Sequence, residues 1–298
     1  MRQFSHRWGD NPGRLRPYRV LVPPDLLKAL AIFAAGLAAG TINTVVGSGT
    51  LITFPTLLAF GYPPVLANVS NNVGLVPGVA SGVYGYRAEL GGQRRRLIRL
   101  GSASICGGLV GAILLLTLPQ SAFKAIVPAL IGVAVVMVVI QPRLAKWVAE
   151  RQRARAALAT PDGASAGVPA DSAAAASAAQ EAIGGPVLWV LVFLAGIYGG
   201  YFGAAQGVLL IGMLGIALND SLQRINATKN VLAGLVNGLA AVVFIIATHI
   251  DWGVAGLIAA GSIIGGQVGA RIGRRLPPWG LRLVIVCVGT AALVKLLA

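Results

Sequence analysis

Gly36-Leu37-Ala38-Ala39-Gly40-Thr41-Ile42-Asn43-Thr44-Val45-Val46-Gly47 has a counterpart in Gly196-Ile197-Tyr198-Gly199-Gly200-Tyr201-Phe202-Gly203-Ala204-Ala205-Gln206-Gly207. Gly36, Gly40 and Gly47 fall on Gly196, Gly200 and Gly207 at one offset of 160. Further along, Asn68-Val69-Ser70-Asn71-Asn72 falls on Asn226-Ala227-Thr228-Lys229-Asn230 at an offset of 158. The same 158 carries Gly107, Gly108, Gly111 and Ala112 onto Gly265, Gly266, Gly269 and Ala270, and Leu118-Pro119 onto Leu276-Pro277. A two-residue deletion between Gly207 and Asn226 reconciles the registers. One register held over so many Gly, Asn and Pro positions reads as a tandem duplication.

The duplicated unit is built for lipid. Only 11% of the 298 residues are charged and 56% are apolar, against about 25% charged in a soluble domain. The mean hydropathy is +0.78. Leu26 to Val46, Leu97 to Leu118, Phe123 to Ile140, Pro186 to Gly203, Val231 to Thr248, Val254 to Ala270 and Leu281 to Ala298 are each nearly free of charge. A membrane span needs roughly 17–25 such residues. The fold expected is therefore an all-α integral membrane protein: two tandem repeats of about five helical segments, 8–10 helices in all.

Four regions follow: a polar tail over 1–25, a first repeat over 26–142, an Ala/Arg-rich linker over 143–185 and a second repeat over 186–298. The tail lacks the early apolar run of a secretory signal. The linker has little to bury and reads as disordered or loosely helical. In both repeats the second segment, about 49–60 and 207–218, is short and bounded by glycine, and Pro55 interrupts the first. Short broken segments at matching places in two halves point to a transporter's binding site. An odd number of segments inverts the second copy relative to the first, and so does a re-entrant hairpin made of the first two segments. An even repeat would leave the copies parallel. The charges satisfy neither topology fully, and the inverted form is the one expected.

The net charge of +15 does not indicate nucleic acid. The arginines sit at the ends of apolar runs, as topology signals do, with no basic stripe carrying interleaved aromatics. Trp147, Trp189, Trp252 and Trp279 also lie at span ends and read as interface anchors. Cys106 and Cys287 lie inside apolar runs, and His6 and His249 have no partner at ligand spacing, so neither a metal site nor a cofactor is expected. An enzyme would need a nucleophile with a base, or a metal cluster; this sequence offers neither.

What remains is a set of polar groups where lipid should be. Asn43 and Thr44 follow the first glycine pair. Asn68, Ser70, Asn71 and Asn72 stand at the expected opening of the third segment, and Asn226, Thr228, Lys229 and Asn230 at that of its mate. Gln206 and Asn237 add to the second half. Such groups must face the bundle interior or a water-filled cavity. Amides, hydroxyls, one lysine and a helix N-terminus near Asn68 or Asn226 would suit an oxyanion, with Gly47, Gly49 and Gly207 letting backbone amides approach it. Glu89, Asp220 and Asp251 read as loop or interface residues, so no carboxylate is expected deep in a span, which favours an anion over a cation. The simpler readings are helix packing for the Gly-x-x-x-Gly pairs, capping for Asn and Ser and interfacial snorkelling for Lys229.

At these residues the sequence resembles the sulfite exporter TauE/SafE family of membrane permeases. The likeness is carried by Ala38 to Leu51, Phe54-Pro55, Gly61-Tyr62-Pro63-Pro64, Ala67-Asn68, Gly199-Gly200-Tyr201-Phe202-Gly203 and Gly207. It covers about 26–298 apart from the linker. Two departures are Gly47-Ser48-Gly49, where the family often has consecutive glycines, and Ala204-Ala205-Gln206 before Gly207. The resemblance implies transport of sulfite or an organosulfonate across a cytoplasmic membrane. A permease working by alternating access is expected, with a passive anion channel as the alternative. Its partners would be a small anionic substrate and the bilayer, and a homodimer is compatible with this reading.

Overall fold

The computed structural model describes residues 24–158, 183–218, 220–272 and 278–297. Most of the tail, most of the linker, Arg274, Arg275 and Leu276-Pro277 lie outside the described residues. Among those described there are ten α-helices and no strand. They are α1 (Pro24–Val45), α2 (Thr50–Ala59), α3 (Pro64–Gly85), α4 (Arg94–Thr117), α5 (Gln120–Leu158), α6 (Leu188–Tyr201), α7 (Gln206–Ala217), α8 (Leu222–Ala247), α9 (Trp252–Ile272) and α10 (Pro278–Leu297). By length and composition, five helices can cross a membrane: α1, α4, α5, α8 and α9. The first part of the expected linker, 143–158, continues α5.

Small residues decide which helices touch. In lipid, helices gain little from burying apolar surface against each other, so close backbone approach carries the association. The two most extensive seams are α1 on α9 and α4 on α6. In the first, Gly36 and Gly40 lie on the backbone of Ile258 and Ser262, while Gly261 and Gly265 lie on that of Phe33, Leu37 and Thr41. In the second, Gly107 and Gly111 lie on the carbonyls of Phe193 and Ile197, and Gly200 lies on that of Gly108. A Cβ at any of these glycines would fall into backbone, so the Gly-x-x-x-Gly pairs are packing surfaces. The contacts are also crossed. The first helix of each half packs on the fourth of the other, and α3 and α8 pack together.

The short helices are the returning arms of two hairpins. Lys28 near the start of α1 stands 4.4 Å over the ring of Tyr62, just past α2, so both ends of α1–α2 lie at one end of the bundle. Leu188 at the start of α6 and Leu218 just past α7 line one cavity together with Arg96 and Arg224, so both ends of α6–α7 lie at the other. The direction of α3 and α8 separates these ends. Ser70 near the start of α3 accepts a bond from the Asp251 N–H beyond the end of α8 (3.0 Å), while Arg224 at the start of α8 donates to Gly91 O beyond the end of α3 (3.1 Å). The two helices run antiparallel.

The hairpins turn at 46–49 and 202–205, and their tips meet. Gly47 (φ +86°) and Gly203 (φ +77°) take the left-handed conformation that the first reversal and the second require. Gly207 N–H donates to Gly47 O at 3.1 Å. Below this crossing, Phe54 of α2 packs edge-on against Phe202, with ring centroids 5.2 Å apart. Phe123 of α5 closes the cluster.

A candidate anion site at the crossing of two helix breaks

The break after α1 leaves carbonyl groups without helical partners, and α8 supplies them. Thr44 O accepts from Asn226 Nδ2 (3.2 Å), Lys229 Nζ (3.2 Å) and Asn230 Nδ2 (3.3 Å), and Asn43 O accepts from Lys229 Nζ (3.0 Å). The matching break in the second half is satisfied reciprocally, with Asn68 Nδ2 donating to Tyr201 O at 3.1 Å. Asn43 Oδ1 accepts the Gly49 N–H (2.9 Å), which caps the start of α2 and fixes the Asn43 amide.

These groups enclose a crevice of about 20 Å³, lined by Asn43, Thr44, Gly47 and Thr50 from the first hairpin, by Gly203, Gln206 and Gly207 from the second, and by Lys229, Asn230 and Asn237 from α8. That volume holds about one water. Lys229 is fully buried (0% exposed). Among the described residues no carboxylate forms an ion pair with it. The C-terminal end of α1 offers about half a negative charge, so positive charge is left over. Gln206 Nε2 is buried with no hydrogen-bond partner. A buried lysine with no ion pair among the described residues and an amide donor left unmet thus line one crevice.

Six of the twelve residues expected from the sequence, Asn43, Thr44, Gly47, Gly207, Lys229 and Asn230, line the crevice. The others do not. Gly49 caps α2, Asn226 and Asn68 cap the breaks, and Ser70 receives Asp251. Thr228 donates to Gln93 Oε1 at 2.7 Å. Asn72 Oδ1 is buried without a partner. The helix N-terminus expected at Asn68 and Asn226 lies one turn earlier. Pro63-Pro64 starts α3, and the Ser221 hydroxyl accepts the Arg224 N–H to start α8. Asn68 and Asn226 therefore act through side-chain amides rather than by marking free backbone N–H groups.

Asp220 is structural in a way the sequence did not disclose. Its carboxylate takes Arg96 Nη1 and Arg224 Nε, each at 2.7 Å, tying α4 to the start of α8. Burial alone would raise this carboxyl; the Arg96 hydrogen bond and the Arg224 charge outweigh it and hold it below its ordinary value of 3.8. The stabilisation is present above that ordinary value and is lost as pH falls through the lower folded one. Asp220→Asn is expected to cost about 1–3 kcal/mol at pH 7 and to flatten the acid limb of the thermal midpoint. Midpoints measured from pH 7 down to pH 3 check both.

The sequence profile of the sulfite exporter TauE/SafE family matches residues 32–296. The chain is similar to a "Probable membrane transporter protein ORF9" of Sinorhizobium sp, with 25% identity over 268 residues, 90% of this chain and 91% of the relative. It is similar to a "Probable membrane transporter protein" of Haemophilus influenzae, with 26% identity over 254 residues, 83% and 85% of the two chains. It is also similar to "Probable membrane transporter protein YfcA" of Escherichia coli K12, with 25% identity over 289 residues, 93% and 91%. No solved structure matches.

Proposed function

The chain belongs to the sulfite exporter TauE/SafE family, a family of multi-pass membrane transporters, and on that premise we propose that it moves a small sulfur-containing oxyanion, sulfite or an organosulfonate, by alternating access. The observation that carries the reading is Lys229, buried with no ion pair among the described residues in the crevice that Gly47 and Gly207 close. The anion takes the ammonium, the Gln206 amide and the Asn230 and Asn237 side chains as donors.

The crossed seams, the antiparallel α3 and α8 and the two hairpins support an inverted repeat of 26–142 on 186–298. Arg87, Arg94, Arg95, Arg96, Arg99 and Arg224 gather at the α6–α7 end of the bundle, which the positive-inside rule makes cytoplasmic. A site closed to the size of one water favours a gated carrier over an open channel.

Sulfite, sulfate, taurine, sulfoacetate and chloride are to be compared as thermal stabilisers of the purified protein, since a ligand of the folded state raises its stability. One sulfur anion should stabilise the wild type, and Gln206→Ala should weaken its binding about tenfold or more, the worth of a hydrogen bond to a charged group. The reading fails if no anion stabilises folded protein. Saturable counterflow in proteoliposomes is expected of a carrier, and its absence alongside conductance would identify a channel.

A further inference from the structure

A second cavity, of about 470 Å³, lies at the foot of the α6–α7 hairpin, away from the crevice. Arg95, Arg96 and Arg99 of α4 and Arg224 of α8 stand around it, and its floor is Leu100, Leu188 and Leu218. Asp220 is the carboxylate that meets this group, through Arg96 and Arg224. Among the described residues no ion pair engages Arg95 or Arg99. Two of the arginines are therefore held in place and two are left over, so the cavity keeps an excess of positive charge.

Arg95 and Arg99 are exposed at the rim, whereas Arg96 and Arg224 are half-buried and anchored. Arg96 also donates to Gln93 Oε1 at 2.9 Å, and Gln93 is buried (2% exposed) where it accepts from Thr228. The wall is thus fixed by a connected set of bonds before any ligand arrives. Trp189, whose indole donates to Ser102 at 3.1 Å, sits one residue beyond Leu188, the placement of an interfacial anchor. The cavity has an apolar floor and a guanidinium rim.

We propose that this cavity is a second anion site, separate from the transport crevice, that binds a tetrahedral oxyanion. The bound group is the phosphate of an anionic phospholipid or a free phosphate-like ion. Guanidinium groups suit either one, because their forked donors match phosphate oxygens. A ligand there bridges α4, α8 and both ends of the hairpin. The proposal does not depend on what the crevice carries.

The test uses the full-length protein purified in a neutral detergent. Arg95→Gln/Arg99→Gln removes the two arginines that no ion pair engages among the described residues, and Arg143→Gln/Arg153→Gln removes equal charge from α5, off the cavity. Lys229→Gln disables the crevice. Retention of phosphatidylglycerol against phosphatidylcholine is read by native mass spectrometry, and stabilisation by inorganic phosphate is read by thermal melting. Loss of phosphatidylglycerol by about tenfold in Arg95→Gln/Arg99→Gln alone supports the proposal with a lipid as the source. Loss of phosphate stabilisation in that variant, but not in Lys229→Gln, supports it with a free ion as the source. The proposal is overturned if wild type and Arg95→Gln/Arg99→Gln hold both probes equally, if the distant pair loses as much, or if binding follows Lys229.

Discussion

Lys229→Gln is expected to abolish anion transport while leaving the empty protein at least as stable as the wild type. The two halves of this expectation come from one fact, a fully buried lysine with no carboxylate partner among the described residues. Burying an unpaired charge is costly, and the Asn43 and Thr44 carbonyls at the end of α1 offset only part of that. Glutamine keeps a donor for one of those carbonyls and removes the charge. Thr44 O also retains Asn226 and Asn230. The unliganded fold therefore loses one hydrogen bond and is relieved of a desolvation penalty.

The anion loses its counter-charge. Two unit charges about 4 Å apart at an effective dielectric of about 20 attract by roughly 4 kcal/mol. Dehydration of the anion takes back part of this, leaving about a 100-fold loss of affinity. Thermal midpoints with and without the stabilising anion, together with proteoliposome uptake, separate the two effects. A variant that unfolds in the absence of anion would show that Lys229 holds the break together instead. A variant that transports normally would remove it from the site.

Much of this architecture is legible in the sequence because glycine and proline constrain the backbone directly. The register that lays Gly47 on Gly207 and Gly36 on Gly196 locates both breaks and both packing seams, and the short second segments emerge as α2 and α7. Lys229 stands out by charge alone. The remainder depends on contacts between distant residues, which no local pattern encodes. Nothing near Gly47 says that its partner is Gly207, although the offset of 160 pairs them in the expected duplication. Asp220 reads as a loop acid until Arg96, far away in the chain, is placed beside it. Asn68 and Asn226 are equivalent in the sequence, yet only the second half supplies a cation, because Asn71 stands where the offset puts the mate of Lys229. The crevice is lopsided for that reason, and a reading guided by the duplication spreads the site over both copies. Helix starts are the other loss. The Asn clusters look like openings of helices, but Pro63-Pro64 and Ser221 begin those helices a turn sooner.

The hairpin tips give the second large expected effect. Gly47→Ala should unfold or severely destabilise the protein, whereas Gly61→Ala should be tolerated, although both glycines have positive φ (86° and 83°). The left-handed conformation costs an L-residue about 1–2 kcal/mol, and both positions bear that cost. At Gly61 nothing lies within 4 Å of the added methyl group, so the cost ends there. At Gly47 the methyl group falls on the Cα of Gly207. Overpacking a core adds about 1–3 kcal/mol even where side chains can shift. Here the obstacle is backbone, held by the Gly207 N–H bond to Gly47 O, and it has no rotamer to change. The sum for Gly47→Ala is roughly 2–5 kcal/mol, a large part of the stability of a single domain. Gly207→Ala should suffer through the collision alone, since its methyl group meets the Cα of Gly47. Size-exclusion profiles and thermal midpoints of the three variants check the order, with Gly47→Ala lowest, Gly207→Ala next and Gly61→Ala lowered least. Equal midpoints for Gly47→Ala and Gly61→Ala would mean that the tips do not touch in the folded protein, and the crevice they close would go with them.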